Sequence, residues 1–430
     1  MITPSFGLTA TERVLPRLAL DWTTGLPQAG VDVVRAGVAT FVGSDGLIQS
    51  ASANTQRIDY SSGTPSLLVE EARTNLLTYS DQFNNAAWTK LQCSVSANAV
   101  ISPDGTQNAD SIIEDGTLNA HQIAIASFSF TSGTSYTIST IAKPNGRNLR
   151  IGFGSAAFTT AQLVVFNLTT GTGTVNTGTP TFTITPYKDG YYRCSVTATA
   201  TATAASSIQF VLLNGTSATY QGNGTSGVYL WGAQQEVGAF PTSVILTAGS
   251  AVTRNADVST MTWTNFSDWY KAGAGSIHVK ASQRSISGIR PIVQLDDTTA
   301  DNFIVLRGNA ANPELYIKAT TDQAQLDAGT IAANTAYRLA GSWATNSVAV
   351  SVNSGAAVLD GSATIPTVTQ MRIGNDGTNY LNGLIESIEY YDQQLFPSNL
   401  QLLSASKGNR SVINTVMTSV AGSVINRVIT

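Results

Sequence analysis

The chain has 430 residues and a net charge of −4, and only 12% of its residues are Asp, Glu, Lys or Arg. This is about half the usual charged share of about 25%, which argues against long charged helices. Nucleic acid is not expected as a partner, because no run of Lys or Arg supplies the concentrated basic surface that phosphate binding needs. Membrane insertion is not expected either, since no stretch of about 18 apolar residues occurs.

Strand patterns dominate the first 260 residues. Residues 31–42 are rich in Val and end at the turn signal Ser44-Asp45-Gly46. Residues 136–141 alternate apolar and polar side chains, as a half-buried strand does. Further strands are predicted at 162–166, 193–205, 208–213 and 228–231. Short strands with turns about every 8–12 residues are typical of β-sandwiches and jelly rolls.

A break near residue 260 separates a second β-rich region. Residues 263–275 are predicted to be an aromatic, glycine-containing connector. Strand patterns then resume and continue to residue 391, at 276–279, 292–295, 303–307, 314–318, 336–343, 348–352, 370–373 and 384–391. The whole chain is therefore predicted to be all-β.

Several motifs in the first part of the chain carry a resemblance to a known family. They are RIDY at 57–60, LLVEEARTNLLTYSDQF at 67–83, WTK at 88–90, SPDGT at 102–106, DGYYR at 189–193, VYLWGAQQEVG at 228–238, PTS at 241–243 and TRNAD at 253–257. In order and spacing they resemble bacteriophage and prophage structural proteins of the tail, tail-fibre or head-spike type. Tyr191 stands where that family more commonly has Trp. The resemblance spans residues 1–258 and does not distinguish head from tail.

The second part of the chain resembles laminin-G-like and concanavalin-A-like domains. The motifs that carry this are GNDG at 374–377, LNGLIESIEYY at 381–391 and LFPSNLQ at 395–401. The resemblance implies a curved sandwich whose concave face often binds carbohydrate. A short helix is expected at 396–400, with Ser398 as its N-cap.

These observations predict two jelly-roll-like antiparallel β-sandwiches in tandem. Residues 1–66 are predicted to be an N-terminal attachment segment that either attaches to the particle or packs on the first sandwich. Residues 67–258 are predicted to form a sandwich like a carbohydrate-binding module, and residues 259–405 the laminin-G-like sandwich. In the final segment, residues 406–430, Val recurs every four positions from Val412 to Val428, which gives a helix one apolar face. We expect this segment to contact a neighbouring subunit or the virion.

Catalysis is not expected. A polysaccharide-cleaving site needs two carboxylates facing one sugar, but neighbours such as Glu70-Glu71 and Asp296-Asp297 point to opposite faces of a strand. The only histidines are His121 and His278, and no spacing of His and Cys residues indicates a zinc site.

The candidate ligand contacts are polar and aromatic residues in predicted loops. Tyr220 beside Asn223 is the glycan candidate in the first sandwich, because sugar rings stack on aromatic faces. In the second sandwich, Asn375, Asp376, Asn379 and Tyr380 form a comparable polar loop. No cofactor is expected unless calcium binds the oxygens of Asp296, Asp297, Asp301 and Asn302.

The predicted function is that of a phage virion appendage, a fibre or spike that adheres to host surface glycans. The resemblance implies a homotrimer in contact with other virion proteins. The alternative is a structural capsid decoration, head fibre or tail component with no receptor. Cys93 and Cys194 are the only cysteines, and the sequence leaves open whether they pair or remain free thiols.

Overall fold

The computed structural model describes residues 14–405. The predicted segment 406–430 lies outside the described residues, as do residues 1–13 of the predicted attachment segment. The described chain is all-β, as predicted, and its strands pair antiparallel in several sheets. No helix in this part of the chain is long and apolar enough to cross a membrane.

The strands are numbered in chain order. Those before residue 120 are β1 Leu18–Asp21, β2 Asp32–Val34, β3 Ala39–Val42, β4 Ile48–Ala51, β5 Ile58–Asp59, β6 Ser66–Val69, β7 Arg73–Asn75, β8 Thr89–Leu91, β9 Cys93–Val100, β10 Ala109–Glu114 and β11 Leu118–Ala120. Those that follow, up to residue 254, are β12 Gln122–Phe130, β13 Ser135–Asn145, β14 Asn148–Phe153, β15 Gln162–Asn167, β16 Thr172–Thr177, β17 Thr181–Pro186, β18 Tyr192–Thr199, β19 Ala204–Leu213, β20 Thr219–Gln221, β21 Gly227–Val237 and β22 Val252–Arg254.

The remaining strands belong to the predicted second region. They are β23 Val258–Met261, β24 Ala274–Gln283, β25 Ile289–Asp296, β26 Asn302–Asn309, β27 Asn312–Ala319, β28 Thr321–Asp327, β29 Tyr337–Ala344, β30 Ser347–Val352, β31 Val358–Asp360, β32 Gln370–Ile373 and β33 Gly383–Tyr391. The α-helices are α1 Thr264–Ser267 and α2 Pro397–Leu403, and short 3-10 helices occur at Trp22–Thr24, Ser155–Ala157 and Lys188–Gly190.

The chain divides into two compact units with boundaries that differ from those predicted. We call residues 34–63 and 71–257 the first sandwich, and residues 14–33, 64–70 and 258–405 the second sandwich. The expected separate segment 1–66 is not a domain of its own, because its described strands are divided between both units. Strand β1, for example, pairs with β33 of the second sandwich.

The first sandwich is built from two six-stranded sheets. Sheet I has the order β17-β18-β13-β21-β10-β9, and sheet II has the order β16-β15-β14-β19-β12-β8. The alternation predicted at 136–141 lies within β13, in the interior of sheet I. A large apolar core includes Trp88, Phe130 and Phe153, all fully buried.

A second, smaller core covers Trp231 of sheet I. This residue was predicted to pack in a core, and it is 1% exposed, beside Tyr191, Ile48 and Val244. Ile48 comes from β4, so residues 34–63 contribute to the hydrophobic core of the first sandwich, which agrees with the predicted alternative that part of the N-terminal segment packs there.

The second sandwich has two main sheets. In sheet III the strands β31-β30-β29-β24-β33 are neighbours, and β1 and β6 both pair with β33. In sheet IV the neighbours are β23-β32-β25-β26-β27-β28. A side chain added at Gly341 of β29 would stand 3.0 Å from a methyl carbon of Leu306 and 3.2 Å from one of Leu315, so these sheets pack closely face to face.

Helix α2 confirms the helix expected near residue 398 but corrects its cap. Ser398 lies inside the helix, the N-cap is Phe396, and no side chain caps the first turn. Pro397 occupies the first helical position, where its fixed φ suits the helix and its missing N–H costs nothing.

The cysteines are free and lie far apart in sheet I. Cys93 is on β9 at one edge, and Cys194 is on β18 next to the other edge. Three strands separate them, which corresponds to about 19 Å at a strand spacing of about 4.8 Å. Burial raises the pKa of the Cys93 thiol to about 11, so this thiol is protonated near neutral pH.

Candidate functional site

One face of sheet IV carries polar and aromatic side chains on several neighbouring strands, and we call it the polar face. The strand register aligns them in three rows. The first row is Arg372, Gln294, Val305, Tyr316 and Gln325; the second is Gln370, Asp296, Phe303, Lys318 and Asp322; the third is Pro291, Arg307, Glu314 and Asp327.

The opposite face of the same strands is aliphatic. Successive residues of a strand point to opposite faces, so the polar face and the core alternate along each strand. The core positions are buried, namely Val293, Leu295, Ile304, Leu306, Leu315, Ile317, Ala324, Leu326, Met371 and Ile373. Their burial fixes which way the polar face points, because a slip of one residue would place these chains outside the core.

Tyr316 and Arg307 form the centre of the polar face. The Arg307 guanidinium lies 4.6 Å from the centroid of the Tyr316 ring, and the Phe303 ring meets that ring edge-on with centroids 5.0 Å apart. Arg307 Nε donates to Glu314 Oε1 at 2.6 Å, which holds the guanidinium in place. Planar groups held in this way offer flat surfaces to the C–H faces of a ligand ring.

Hydrogen bonds fix the polar ends of these side chains. The Tyr316 hydroxyl donates to Asp322. Burial, with the hydrogen bond to Asp322 as the next cause, raises the pKa of Tyr316 to about 12, so the phenol remains a donor at physiological pH. Gln325 is exposed, and its Nε2 donates to Glu314 Oε2 at 3.0 Å. Amide and carboxylate groups around two planar surfaces can hydrogen-bond ligand hydroxyls.

The predicted calcium ligands bond to other groups of the chain itself. Asp296 is buried, and its oxygens accept bonds from Arg372 Nε at 2.8 Å and Gln370 Nε2 at 2.5 Å. Asp301 pairs with Lys318 at 2.9 Å. Between residues 14 and 405 no three His, Cys, Asp or Glu side chains cluster closely enough to hold a metal ion.

Asp297 and Asn302 bind within their own loop. Asp297 Oδ2 accepts a bond from Asn302 Nδ2 at 2.9 Å, and Oδ1 accepts from the Thr299 backbone at 2.9 Å. Burial raises the pKa of Asp297, but the hydrogen bonds from Thr299 and Asn302 outweigh it and hold the pKa below its ordinary value. The carboxylate therefore stabilises a turn.

The loop predicted from Asn375, Asp376, Asn379 and Tyr380 is satisfied largely by its own bonds. Asn375 is buried, and its Nδ2 donates to Ser259 O and Ile373 O, both at 3.1 Å. Asp376 accepts bonds from the backbone and side chain of Asn379 at 2.6 and 2.9 Å. Tyr380 forms an isolated β-bridge with Asn375. The buried Asn375 is thus a structural residue and not a ligand contact.

Tyr220 is not the loop residue that was predicted. It lies on β20, is 7% exposed, and donates its hydroxyl to Glu114 Oε2 at 2.6 Å. Arg147 binds the same carboxylate through two bonds of 2.7 and 2.6 Å, and the Asn223 backbone donates to it at 2.9 Å. The Asn223 side chain accepts bonds from Thr225 and Ser226, which shape its own turn. The ring of Tyr220 is therefore not a free stacking surface.

The Glu114 cluster predicts a pH-dependent effect on stability. Burial raises the pKa of Glu114, but the bonds from Arg147, Tyr220 and Asn223 outweigh it and hold the pKa below 4.5, the ordinary value. The stabilisation is therefore present above about pH 4.5 and is lost as the pH falls through the lower folded value. We expect Glu114→Gln to cost about 1.5–3 kcal/mol at pH 7 and less at pH 3. Urea denaturation at both pH values measures this, and an equal cost at both would contradict it.

Sequence reasoning found Asp296 but missed Arg307, Tyr316 and the other central residues of the polar face. The signal was present in β26, where Phe303, Val305, Arg307 and Asn309 alternate with core residues. That alternation predicted a strand, but a single strand does not show which strands lie beside it.

Comparisons with known proteins give distant structural similarities. No family model matches the sequence, and no curated protein is significantly similar to it in sequence. The CBM40 module of the Ruminococcus gnavus IT-sialidase bound to α2,3-sialyllactose is 16% identical with a TM-score of 0.28, covering 31% of this chain and 83% of that one. Domain 4 of AbnA, a GH43 extracellular arabinanase from Geobacillus stearothermophilus, in complex with arabinotriose, is 16% identical with a TM-score of 0.28, covering 35% and 73%. NanB sialidase from Streptococcus pneumoniae is 9% identical with a TM-score of 0.29, covering 33% and 26%. Carbohydrate-binding modules are thus among the solved structures that this chain is similar to, over about a third of its length.

Proposed function

We propose that this protein is a non-enzymatic bacteriophage virion appendage that adheres to host surface glycans, and that the polar face of the second sandwich is its main contact. The phage assignment is supported by the motifs in residues 57–257 that resemble phage structural proteins. The observation that carries the adhesion proposal is the polar face itself, where planar side chains and hydrogen-bonding groups share one surface.

The chemistry of the polar face suits a sugar. Pyranose rings present C–H groups on their faces and hydroxyls around their edges, so they bind where flat π surfaces lie beside amides and carboxylates. Tyr316 and Arg307 supply the flat surfaces, and the exposed Gln325 and Asp322 supply a donor and acceptors. Glu314 is buried and holds Arg307 and Gln325 in place.

A binding role without catalysis is supported by the partners of the carboxylates that the sequence singled out. Glu71 is paired with Arg73, and Asp296 with Arg372 at 2.8 Å. Glu70 is buried, with the Arg284 guanidinium 3.6 Å away. A glycosidase needs two carboxyl groups that face one sugar, whereas these carboxyl groups lie against arginines of the chain itself.

Weak sites become effective when they are repeated. We propose a homotrimer attached to other virion proteins, in which each chain binds weakly and simultaneous contacts raise the avidity. Native mass measurement on the full chain tests the trimer, and deletion of residues 407–430 tests whether that segment holds it together. A monomeric full chain would contradict the trimer.

Tyr316→Ala is expected to weaken binding to immobilised host surface polysaccharide at least about tenfold, which corresponds to about 1.4 kcal/mol per site. The substitution removes the flat surface on which Arg307 stacks. Tyr316→Phe keeps the ring and loses only the bond to Asp322, so it is expected to stay within about threefold of the unmodified protein. Biolayer interferometry measures both variants.

Tyr187→Ala is the matched control, since Tyr187 is a half-buried tyrosine of the first sandwich. Equal binding by Tyr316→Ala and Tyr187→Ala would remove the polar face from the proposal.

Immunogold labelling of purified particles with antibody to residues 276–405 tests where the protein lies on the virion. Label on fibres or tail tips supports adhesion, whereas head label without polysaccharide binding would favour a decoration protein.

A further inference from the structure

A groove at the edge of sheet III lies outside the polar face, and we call it the Phe396 groove. It has a volume of about 310 Å³, at the lower end of the range of about 300–1,000 Å³ typical of small-molecule sites. It is formed by one end of β30, the edge strand β31 and the turn before α2; its lining is Asn346, Ser347, Val348, Ala349, Leu359, Asp360, Gly361, Gln394, Leu395, Phe396 and Pro397.

The Phe396 ring is an exposed aromatic wall held by a rigid backbone. Its residue is 75% exposed, while Leu395 before it and Leu400 after it are buried in one small core. The Phe396 carbonyl accepts bonds from the backbone of Asn399 at 2.9 Å and Leu400 at 3.2 Å. Because its neighbours are anchored, the backbone that carries the ring cannot fold it into the core.

The opposite wall is the edge strand β31. Leu359 is 61% exposed, and its strand position faces Ala349 of β30. The groove therefore has an aromatic and an aliphatic wall with a buried floor at Leu395 and Ala349.

Polar atoms line the rim of the groove. Asp360 Oδ1 accepts a bond from Ser362 N at 2.8 Å, whereas no donor within residues 14–405 binds Asp360 Oδ2. The Asn346 side chain likewise makes no hydrogen bond to the described part of the chain, although its backbone N–H binds Ala363 O at 2.8 Å. Gln394 Nε2 donates to Ser347 O and Oγ at 2.8 and 2.7 Å, which fixes the groove wall.

We propose that the Phe396 groove is a second carbohydrate site, specific for a neutral mono- or disaccharide of pyranose rings; this rests on the proposed adhesion to glycans. The ring of Phe396 stacks on the sugar face, and Asp360 Oδ2 and the Asn346 amide bind its hydroxyls. The lining contains one ionisable side chain, the Asp360 carboxylate, and no cation. A sugar carboxylate would meet this negative charge, so uronic and sialic acids are disfavoured.

Saturation-transfer NMR on the full chain with D-galactose, D-glucose and N-acetyl-D-glucosamine tests the site, with D-galacturonic and D-glucuronic acid as charged counterparts. At least one neutral sugar is expected to receive saturation, and its uronic acid to bind at least about threefold more weakly. In a Tyr316→Ala background, which removes the sugar binding proposed for the polar face, Phe396→Ala is expected to abolish the signal. Leu118→Ala, which alters a similarly exposed apolar residue of the first sandwich, is expected to leave it unchanged. Asp360→Asn is expected to remove most of the discrimination against the uronic acid.

Unchanged saturation in Phe396→Ala, or unchanged discrimination in Asp360→Asn, would overturn the groove proposal. The groove proposal would also fail if the unmodified chain gave no sugar signal and Phe396→Ala changed the oligomeric mass. The groove would then contact a second copy of the chain. Tyr316→Ala separates the two proposals. A groove signal that persists without polysaccharide adhesion would refute the proposed function, whereas adhesion that is lost in Tyr316→Ala, together with a sugar signal that does not depend on Phe396, would refute only the groove.

Discussion

Replacing Asp257 with alanine is expected to lower the free energy of unfolding of the first sandwich by about 3–5 kcal/mol, because buried guanidinium groups lose their carboxylate. Asp257 Oδ1 lies 2.7 Å from Arg35 Nη1, and Oδ2 accepts a bond from Arg57 Nη2. Arg254 Nη1 lies 3.9 Å from Oδ2. The side chains of all four residues are at most 3% exposed, so water cannot replace the lost carboxylate.

The arginines cannot move out to solvent when the carboxylate is removed. Arg57 Nη1 also donates to Thr40 O at 2.8 Å and to Ser243 Oγ at 2.9 Å. Arg35 Nη2 donates to Ser52 O at 2.6 Å. The bonds to Thr40 and Ser52 lie within residues 34–63, and the bond to Ser243 joins this segment to the rest of the first sandwich, so the charge imbalance stays where the segments meet.

Denaturation with guanidinium chloride measures the decrease in the free energy of unfolding. A decrease of this size corresponds to a melting temperature lower by about 10 °C in a unit of this length. Hydrogen exchange locates it: peptides from residues 34–63 are expected to lose protection, while peptides from 276–405 serve as the internal reference. Asp268→Ala, at an exposed aspartate, is expected to cost less than about 0.5 kcal/mol. A similar cost for the two variants would mean that the buried carboxylate does not stabilise the arginines.

The fold class was predictable from the sequence because periodicity reports which side of each strand is buried. The strand pattern at 136–141 and the Trp231 strand were both placed correctly in the first sandwich. The pairing of β1 with β33 was not predictable, since 368 positions along the chain separate Leu20 from its partner Ile388, and local periodicity contains no record of a distant partner.

Along that pair Leu20 lies opposite Ile388, and Asp21 lies opposite Ser387. Strands this far apart in the chain meet only when the whole sheet forms.

The candidate sites were less predictable than the fold. Tyr220 was assigned to a loop because Gly and Asn follow it, yet its ring is buried over the Glu114 and Arg147 pair. The Phe396 groove was missed because its walls come from three separate segments of the second sandwich. Side-chain burial and convergence of remote loops depend on tertiary packing, which residue types alone do not specify.

The motifs that resemble phage proteins turn out to be structural. Arg57 and Asp257 form the buried ion pair, and the Tyr191 hydroxyl donates to Ile101 O at 2.8 Å. Asp104 of the SPDGT motif accepts bonds from Thr106 and closes a turn. These residues hold the first sandwich together, so the motifs contribute to its scaffold.

Asn75, in the longest of these motifs, is expected to be as important as Asp257. Its Nδ2 donates to Ala233 O at 3.0 Å and to Ile245 O at 2.7 Å, and its Oδ1 accepts from Leu77 N and Gln235 N, both at 3.1 Å. The residue is fully buried, so one side chain satisfies four backbone groups that water cannot reach.

We expect Asn75→Ala to lower the free energy of unfolding by about 3 kcal/mol or more, because it leaves those four groups unpaired. Asn75→Asp keeps both acceptor bonds but directs a carboxylate at two carbonyl oxygens, so at pH 7 it is expected to be at least as destabilising as alanine. Size alone predicts the opposite order, since aspartate fills the space of asparagine and alanine leaves a cavity. Urea denaturation of both variants, with the exposed Asn119→Ala as control, therefore separates lost hydrogen bonding from lost packing. A cost below about 1 kcal/mol for Asn75→Ala would show that the segments around residues 75, 233 and 245 are held by their apolar contacts instead.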